Sequence, residues 1–218
     1  YGENMVSLIC VRHGQSRANE RKIFTGQTDV PLSALGERQA ERLAEFLLAN
    51  YRIDAVCSSD LRRAYDTVAP VAAALGIPVR KVPALREICG GAWEEKTAEE
   101  IARLFPDDYR LWREDIGECR CTGGESVAEV QARAGAAVRA IVSENAGKTV
   151  LIGAHACVLR TLQCFWQHIP LSRMKEIAWV PNASVTQVDY QTDGTWRIVR
   201  LGDVSFQQGE VTRISQGF

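Results

Sequence analysis

The sequence has only three histidines and almost no excess charge of either sign, its formal net charge being −1 at pH 7. A chain so balanced lacks the bulk electrostatic grip that nucleic acid or a membrane surface requires. A local basic pocket for a small anion remains possible. No apolar stretch approaches the roughly 20 residues that cross a bilayer. No basic segment followed by an apolar core opens the chain, so no secretion signal is expected. The seven cysteines are scattered and form no C-x-x-C pair, and Cys119 and Cys121 lie far from any histidine, which argues against zinc. Several cysteines fall within apolar patterns, where the thiol acts as a small hydrophobe. Reduced thiols and a cytoplasmic home are therefore expected. Repeats, low-complexity stretches and linkers are all missing. The 218 residues, 46% of them hydrophobic, fit one globular domain, 1–218, with a core of about 5–205 and a tail, 206–218, that carries no legible pattern.

What is present centres on Val11-Arg12-His13-Gly14-Gln15-Ser16, with Asn19 close behind. The apolar run from Met5 to Val11 reads as a buried strand, and the Gly and Ser after it read as a turn. A histidine and an arginine thus end a buried strand, where α/β proteins place ligands. Neutral imidazole is a nucleophile near pH 7, provided one ring nitrogen keeps its proton and leaves the other free. The Arg12 guanidinium is a planar fork suited to phosphate oxygens.

Strand, turn and helix then recur. Thr25-Gly26 reads as a turn, and Ser33 is placed to cap a helix whose apolar face carries Ala40, Leu43, Ala44 and Leu47. A second strand, Asp54 to Ser58, runs into Ser59-Asp60-Leu61-Arg62-Arg63-Ala64, where Ser59 or Asp60 can cap the next helix. An arginine in a first helical turn opposes the helix dipole and asks for an anion, which points to Arg62. Arg63 reads as its surface neighbour. Leu85-Arg86-Glu87 leads into Gly91-Ala92-Trp93-Glu94, with Trp93 expected in packing. Thr97-x-x-Glu100 and Ser126-x-x-Glu129 are capping boxes, and the second suffices to explain Glu125-Ser126 as a helix start. A buried strand from Thr149 to Ala154 delivers His155, followed by Ala156, Cys157 and Arg160. Two late strands flank the hairpin signal Asp193-Gly194.

Arg12-His13-Gly14-x-Ser16, Ser59-x-Leu61 with its arginines, Leu85-x-Glu87 before Gly91-x-Trp93-Glu94, Gly124-Glu125-Ser126 and His155 with Arg160 together resemble the histidine phosphatase superfamily, the phosphoglycerate-mutase-like proteins. The likeness runs from Ser7 to about Ser205 and is nearer the phosphatase branch. It implies His13 as a nucleophile that carries phosphate, Glu87 as proton donor, and Arg12, Arg62 and His155 as phosphoryl ligands. Asn19, Thr25, Gly26 and Ala156 would line the substrate. Where the family shows His-Gly-Gly, this chain has His155-Ala156-Cys157, and a side chain at Cys157 would be strained if that position needed positive φ.

Strand and helix alternation implies a three-layer α/β/α sandwich, with a mostly parallel central sheet and an antiparallel edge. The expected activity is hydrolysis of the phosphomonoester of a small phosphorylated metabolite, with no metal or cofactor and no nucleic-acid or membrane partner. A cofactor-dependent phosphoglycerate mutase is the alternative. A non-catalytic pseudoenzyme that binds phospho-ligands is a third reading, kept open by Ala156-Cys157. Specificity is expected from Ile88 to Tyr109 and from Glu114 to Thr122.

Overall fold

A computed structural model describes residues 4–218, and residues 1–3 lie outside the described part. The elements run β1 (Val6–Arg12), α1 (Arg17–Arg21), α2 (Ala34–Asn50), β2 (Ala55–Ser58), α3 (Arg62–Leu75), β3 (Val79–Lys81), α4 (Ala98–Leu104), α5 (Pro106–Glu114), α6 (Val127–Glu144), β4 (Thr149–Ala154), α7 (Ala156–Gln167), β5 (Val185–Tyr190) and β6 (Trp196–Asp203). The six strands form one sheet in the order β3-β2-β4-β1-β5-β6. β1 to β4 pair in parallel, while β5 runs antiparallel to both β1 and β6. The sandwich expected from the sequence is the fold observed.

Side-chain alternation on the central strands sorts the helices onto two faces. Ile9, Val11 and Leu151 pack with Leu43, Leu47, Val68 and Val71, so α2 and α3 cover one face. Leu8, Cys10, Val150 and Ile152 pack with Val130, Val138, Ile141, Val158 and Leu162, so α6 and α7 cover the other. β1 and β4 are consequently buried on both sides, which is why they read as continuous apolar runs. Both capping boxes form, as does the Ser33 cap of α2, each such cap contributing about 1 kcal/mol.

The start of α3 departs from expectation: neither Ser59 nor Asp60 caps it, and the cap position is Leu61. Both polar side chains are recruited elsewhere. Ser59 Oγ meets His155 Nε2 at 2.8 Å, and both Asp60 carboxylate oxygens accept from Arg86 at 2.7 and 2.6 Å. The anion at this helix start is instead the carboxylate of Asp29, which accepts from Arg62 N at 2.8 Å.

Candidate active site

β1 and β4 are parallel neighbours with Arg12 opposite Ala154, so the next residue of each strand, His13 and His155, leaves the sheet side by side. His13 N donates to Ala154 O at 3.1 Å, and the two imidazole centroids are 5.2 Å apart. His13 Nδ1 lies 2.7 Å from the carbonyl oxygen of Gly14. A carbonyl only accepts, so Nδ1 carries the proton and Nε2 keeps its lone pair. Burial, reinforced by the positive charges of Arg63 and Arg12, holds His13 well below its ordinary pKa. The ring is thus neutral and oriented at pH 7, as a nitrogen nucleophile requires.

Two buried guanidinium groups flank it. Arg12 donates to Val180 O at 2.7 Å, and Arg63 donates to Thr28 O at 2.9 Å and Gly26 O at 2.5 Å. Burial pulls both down to about 10, which leaves them charged at neutral pH. The loop that supplies the carbonyls for Arg63 is itself fastened by Glu94, whose carboxylate accepts from Gly26 N, Gln27 N and Thr28 Oγ1. Gly26 has no room for a side chain, because a Cβ there would sit 2.0 Å from Ile88 O. The close backbone approach, rather than a tight turn, demands glycine.

Glu87 is 7% exposed, and burial raises its pKa above the usual carboxylate value. Its Oε1 accepts from Ile88 N at 2.9 Å and its Oε2 from Cys157 N at 3.0 Å. Its backbone is clamped from behind by Arg133, which donates to the carbonyls of Ala84, Arg86 and Glu87. Arg133 also pairs with Glu125 at 2.7 Å, and Glu125 accepts from Cys89 N. Glu125 therefore does more than begin α6: it helps hold the loop that carries Glu87.

A single cleft is lined by Arg12, His13, Asn19, Thr25, Arg63, Glu87 and Ala156. His155 is fully buried just beneath, its Nδ1 without a protein partner, and burial followed by the nearby Arg63 charge keeps it well below its ordinary pKa. Gly26 stands behind Arg63 as a carbonyl acceptor. Arg62 does not reach the cleft. It is exposed on another surface, 3.9 Å from Asp66. Of the two arginines, the structure brings Arg63, not the expected Arg62, to the cleft beside His13. The stretch resembles a Ser-x-Leu-x-Arg-Ala pattern, in which the arginine directly precedes the alanine, and here Arg63 precedes Ala64. One step along a helix turns a side chain by about 100°, from solvent to the sheet edge.

Cys157 carries no strain. It sits in the first turn of α7 without positive φ, a conformation open to any side chain, and its amide serves Glu87. Its thiol pKa is pushed well up by burial, so the side chain sits there as a protonated, apolar filler. Of the intervals expected to set specificity, only Ile88 lines the cleft. Trp112, Trp179 and the tail residues Ile214, Ser215 and Phe218 do so instead. Asn182 is a further residue without a sequence signal. Its Nδ2 donates to His13 O at 3.0 Å and Asn19 Oδ1 at 3.3 Å, tying the nucleophile's backbone to the first loop.

The family model described as histidine phosphatase superfamily (branch 1) matches residues 8–204. The chain belongs to the histidine phosphatase superfamily. Phosphoserine phosphatase 1 of Hydrogenobacter thermophilus is 32% identical over 169 residues, 78% of this chain and 80% of that one. Glucosyl-3-phosphoglycerate phosphatase of Mycobacterium tuberculosis is 33% identical over 189 residues, 83% and 84% of the two chains. Proteins named as phosphoglycerate mutase or mutase-like match as well. Among solved structures, Bacillus stearothermophilus YhfR superposes with a TM-score of 0.88 at 32% identity, covering 93% of this chain and all of that one. These relatives place the protein among histidine phosphatase enzymes. No helix among the described residues is long and apolar enough to cross a membrane.

Proposed function

We propose that the protein hydrolyses the phosphomonoester of a small metabolite through a phosphohistidine on His13. The observation that carries this reading is the neutral His13 ring, locked by Gly14 O and flanked by two buried arginines and a carboxyl of raised pKa. In the first step Nε2 attacks phosphorus in line, the bond from phosphorus to the ester oxygen breaks, and Glu87 gives its proton to the departing alcohol. Arg12 and Arg63 hold the equatorial oxygens in a site preorganised by backbone carbonyls, with His155 proposed as a third phosphoryl ligand that becomes accessible only if the phosphoryl group seats down onto it. In the second step Glu87, now a carboxylate, takes a proton from water as that water attacks the phosphohistidine. Phosphate leaves, and both His13 and Glu87 return to their starting states. Two fixed guanidinium charges match a phosphoryl dianion, so the reaction is proposed to need no metal.

Transfer between phosphoglycerates would require the intermediate to be shielded from water while the substrate turns. The interval between Glu87 and Glu125 is occupied by α4, α5 and short turns already packed into the core, which favours hydrolysis. The test is a rapid acid or base quench with radiolabelled substrate. Base-stable, acid-labile label is expected on the wild type, with net phosphate release, and no label or turnover in His13→Ala. Retained activity in that variant would refute the nucleophile. Efficient isomerisation of primed 3-phosphoglycerate without phosphate release would favour the mutase.

A further inference from the structure

Above His13 the cleft changes character. Its walls are Ile23, Phe24, Ile88, Trp112, Trp179 and Phe218. The four aromatic rings come from four separate segments and form a continuous chain. Phe24 meets Phe218 at 5.6 Å and Trp112 at 5.8 Å between centroids, and Trp112 meets Trp179 at 5.9 Å. Phe218 belongs to the tail, held over the cleft by Tyr109, whose hydroxyl donates to Gly217 O at 2.8 Å.

Charge is missing from these walls. Among the described residues, Arg12 and Arg63 are the only arginines or lysines lining the cleft. Both are tied to backbone carbonyls beside His13 and cannot swing outward to a second anion. Arg160 stacks on Trp179 at 4.4 Å, yet it lines the neighbouring cleft, where its guanidinium donates to Met174 O. Neutral hydrogen-bonding capacity, in contrast, is available. Thr25 Oγ1 and Trp112 Nε1, on two lining residues, are buried without a protein partner. A carboxylate on the leaving alcohol would therefore lose its water against aromatic faces and gain no counter-charge, an unfavourable exchange. A flat apolar group would gain burial and ring contact there.

From this we infer the substrate class: the phosphomonoester of an uncharged alcohol bearing an aromatic ring or a broad apolar face, seated against Phe24, Trp112, Trp179 and Phe218. The inference rests on the phosphatase reading above and narrows it. Phosphorylated hydroxy acids, phosphoserine and phosphoglycerates among them, are disfavoured as substrates.

The test compares kcat/KM of the full chain for matched pairs that differ in charge: phenyl against 4-carboxyphenyl phosphate, and benzyl phosphate against O-phosphoserine and 3-phosphoglycerate. The uncharged member of each pair should lead by about tenfold or more, a difference of about 1.4 kcal/mol, and the gap should lie mainly in KM. Phe218→Ala should raise KM for 2-naphthyl phosphate several-fold with little change in kcat. If that variant fails to fold by circular dichroism, the wild-type pairs decide alone. Equal or better turnover of the carboxylated members would overturn the leaving-group assignment while leaving the phosphatase reading intact. No phosphate release from any compound, with no label on His13, would overturn both.

Discussion

The floor and the rim of the cleft are built on different principles. On the floor, Arg12, His13, Arg63 and Glu87 are each fixed by at least one hydrogen bond to the backbone, from strand ends, the loops after them and the first turn of α3. On the rim, Phe24, Trp112, Trp179 and Phe218 meet edge-on or tilted and are placed by packing, from loops, α5 and the C-terminal tail. A directional bond to a carbonyl holds a reacting group within the narrow tolerance that in-line chemistry demands. Packing tolerates exchange of one apolar shape for another at modest cost. The difference implies that chemistry resides in the floor and choice of substrate in the rim, so changes to each should separate in kcat and KM.

Loss of His13 is the most severe way to probe the floor, since the other imidazole nearby, His155, is fully buried and its Nε2 is bonded to Ser59 Oγ. Next comes Glu87→Gln, expected to cost about 10²–10⁴ in kcat on alkyl phosphates, the range for a positioned general acid. Nitrophenyl phosphate, whose leaving group needs little protonation, should lose much less. An equal loss on both would reduce Glu87 to a support for its loop. The raised Glu87 pKa also sets a sign. The acid form persists to higher pH than an ordinary carboxyl, and turnover of alkyl phosphates falls as pH rises through that pKa. The alkaline limb should flatten for nitrophenyl phosphate.

Neighbouring arginines give the sharpest contrast between inside and outside. Arg63→Ala should lower kcat/KM by about 10²–10³, the scale for removing a transition-state charge contact. Arg62→Ala should stay within about twofold, as an exposed residue salt-bridged only to Asp66. Comparable losses in both would show that the α3 start is arranged differently in solution. The smallest expected effect is that of EDTA. Activity should be unchanged, because Arg12 and Arg63 supply the positive charge. Inactivation reversed by a divalent ion would show that the floor is incomplete without metal.

Local pattern alone identified part of the floor, Arg12 and His13. An apolar run ending in Arg12-His13, and another ending at His155, are signals that strand periodicity makes legible, and strand ends in parallel sheets converge. The capping boxes of α4 and α6 and the late hairpin were legible for the same reason: each is a short-range hydrogen-bond or turn pattern written within a few residues. Elsewhere tertiary contacts redirected local signals. Ser59 and Asp60 have the chemistry of helix caps but serve His155 and Arg86, distant partners that no local window contains. Arg62 and Arg63 are adjacent and chemically identical: helix periodicity alone does not separate them, the motif spacing before Ala64 favours Arg63, and the packing of α3 turns Arg63 to the cleft and Arg62 to water.

By itself, then, the sequence determined the strand and helix order and the two histidines at the ends of apolar strands, since these follow from side-chain period and residue type, while Glu87 was marked only by the resemblance to the family. The tertiary structure alone decided that Arg63 is tied to the carbonyls of Gly26 and Thr28 and that Cys157 donates its amide to Glu87. It also decided that Trp112, Trp179 and Phe218 form one aromatic wall. Those three are far apart along the chain and carry no mutual signal, and they meet because the loops and tail close over an apolar surface that the sheet leaves open at its edge.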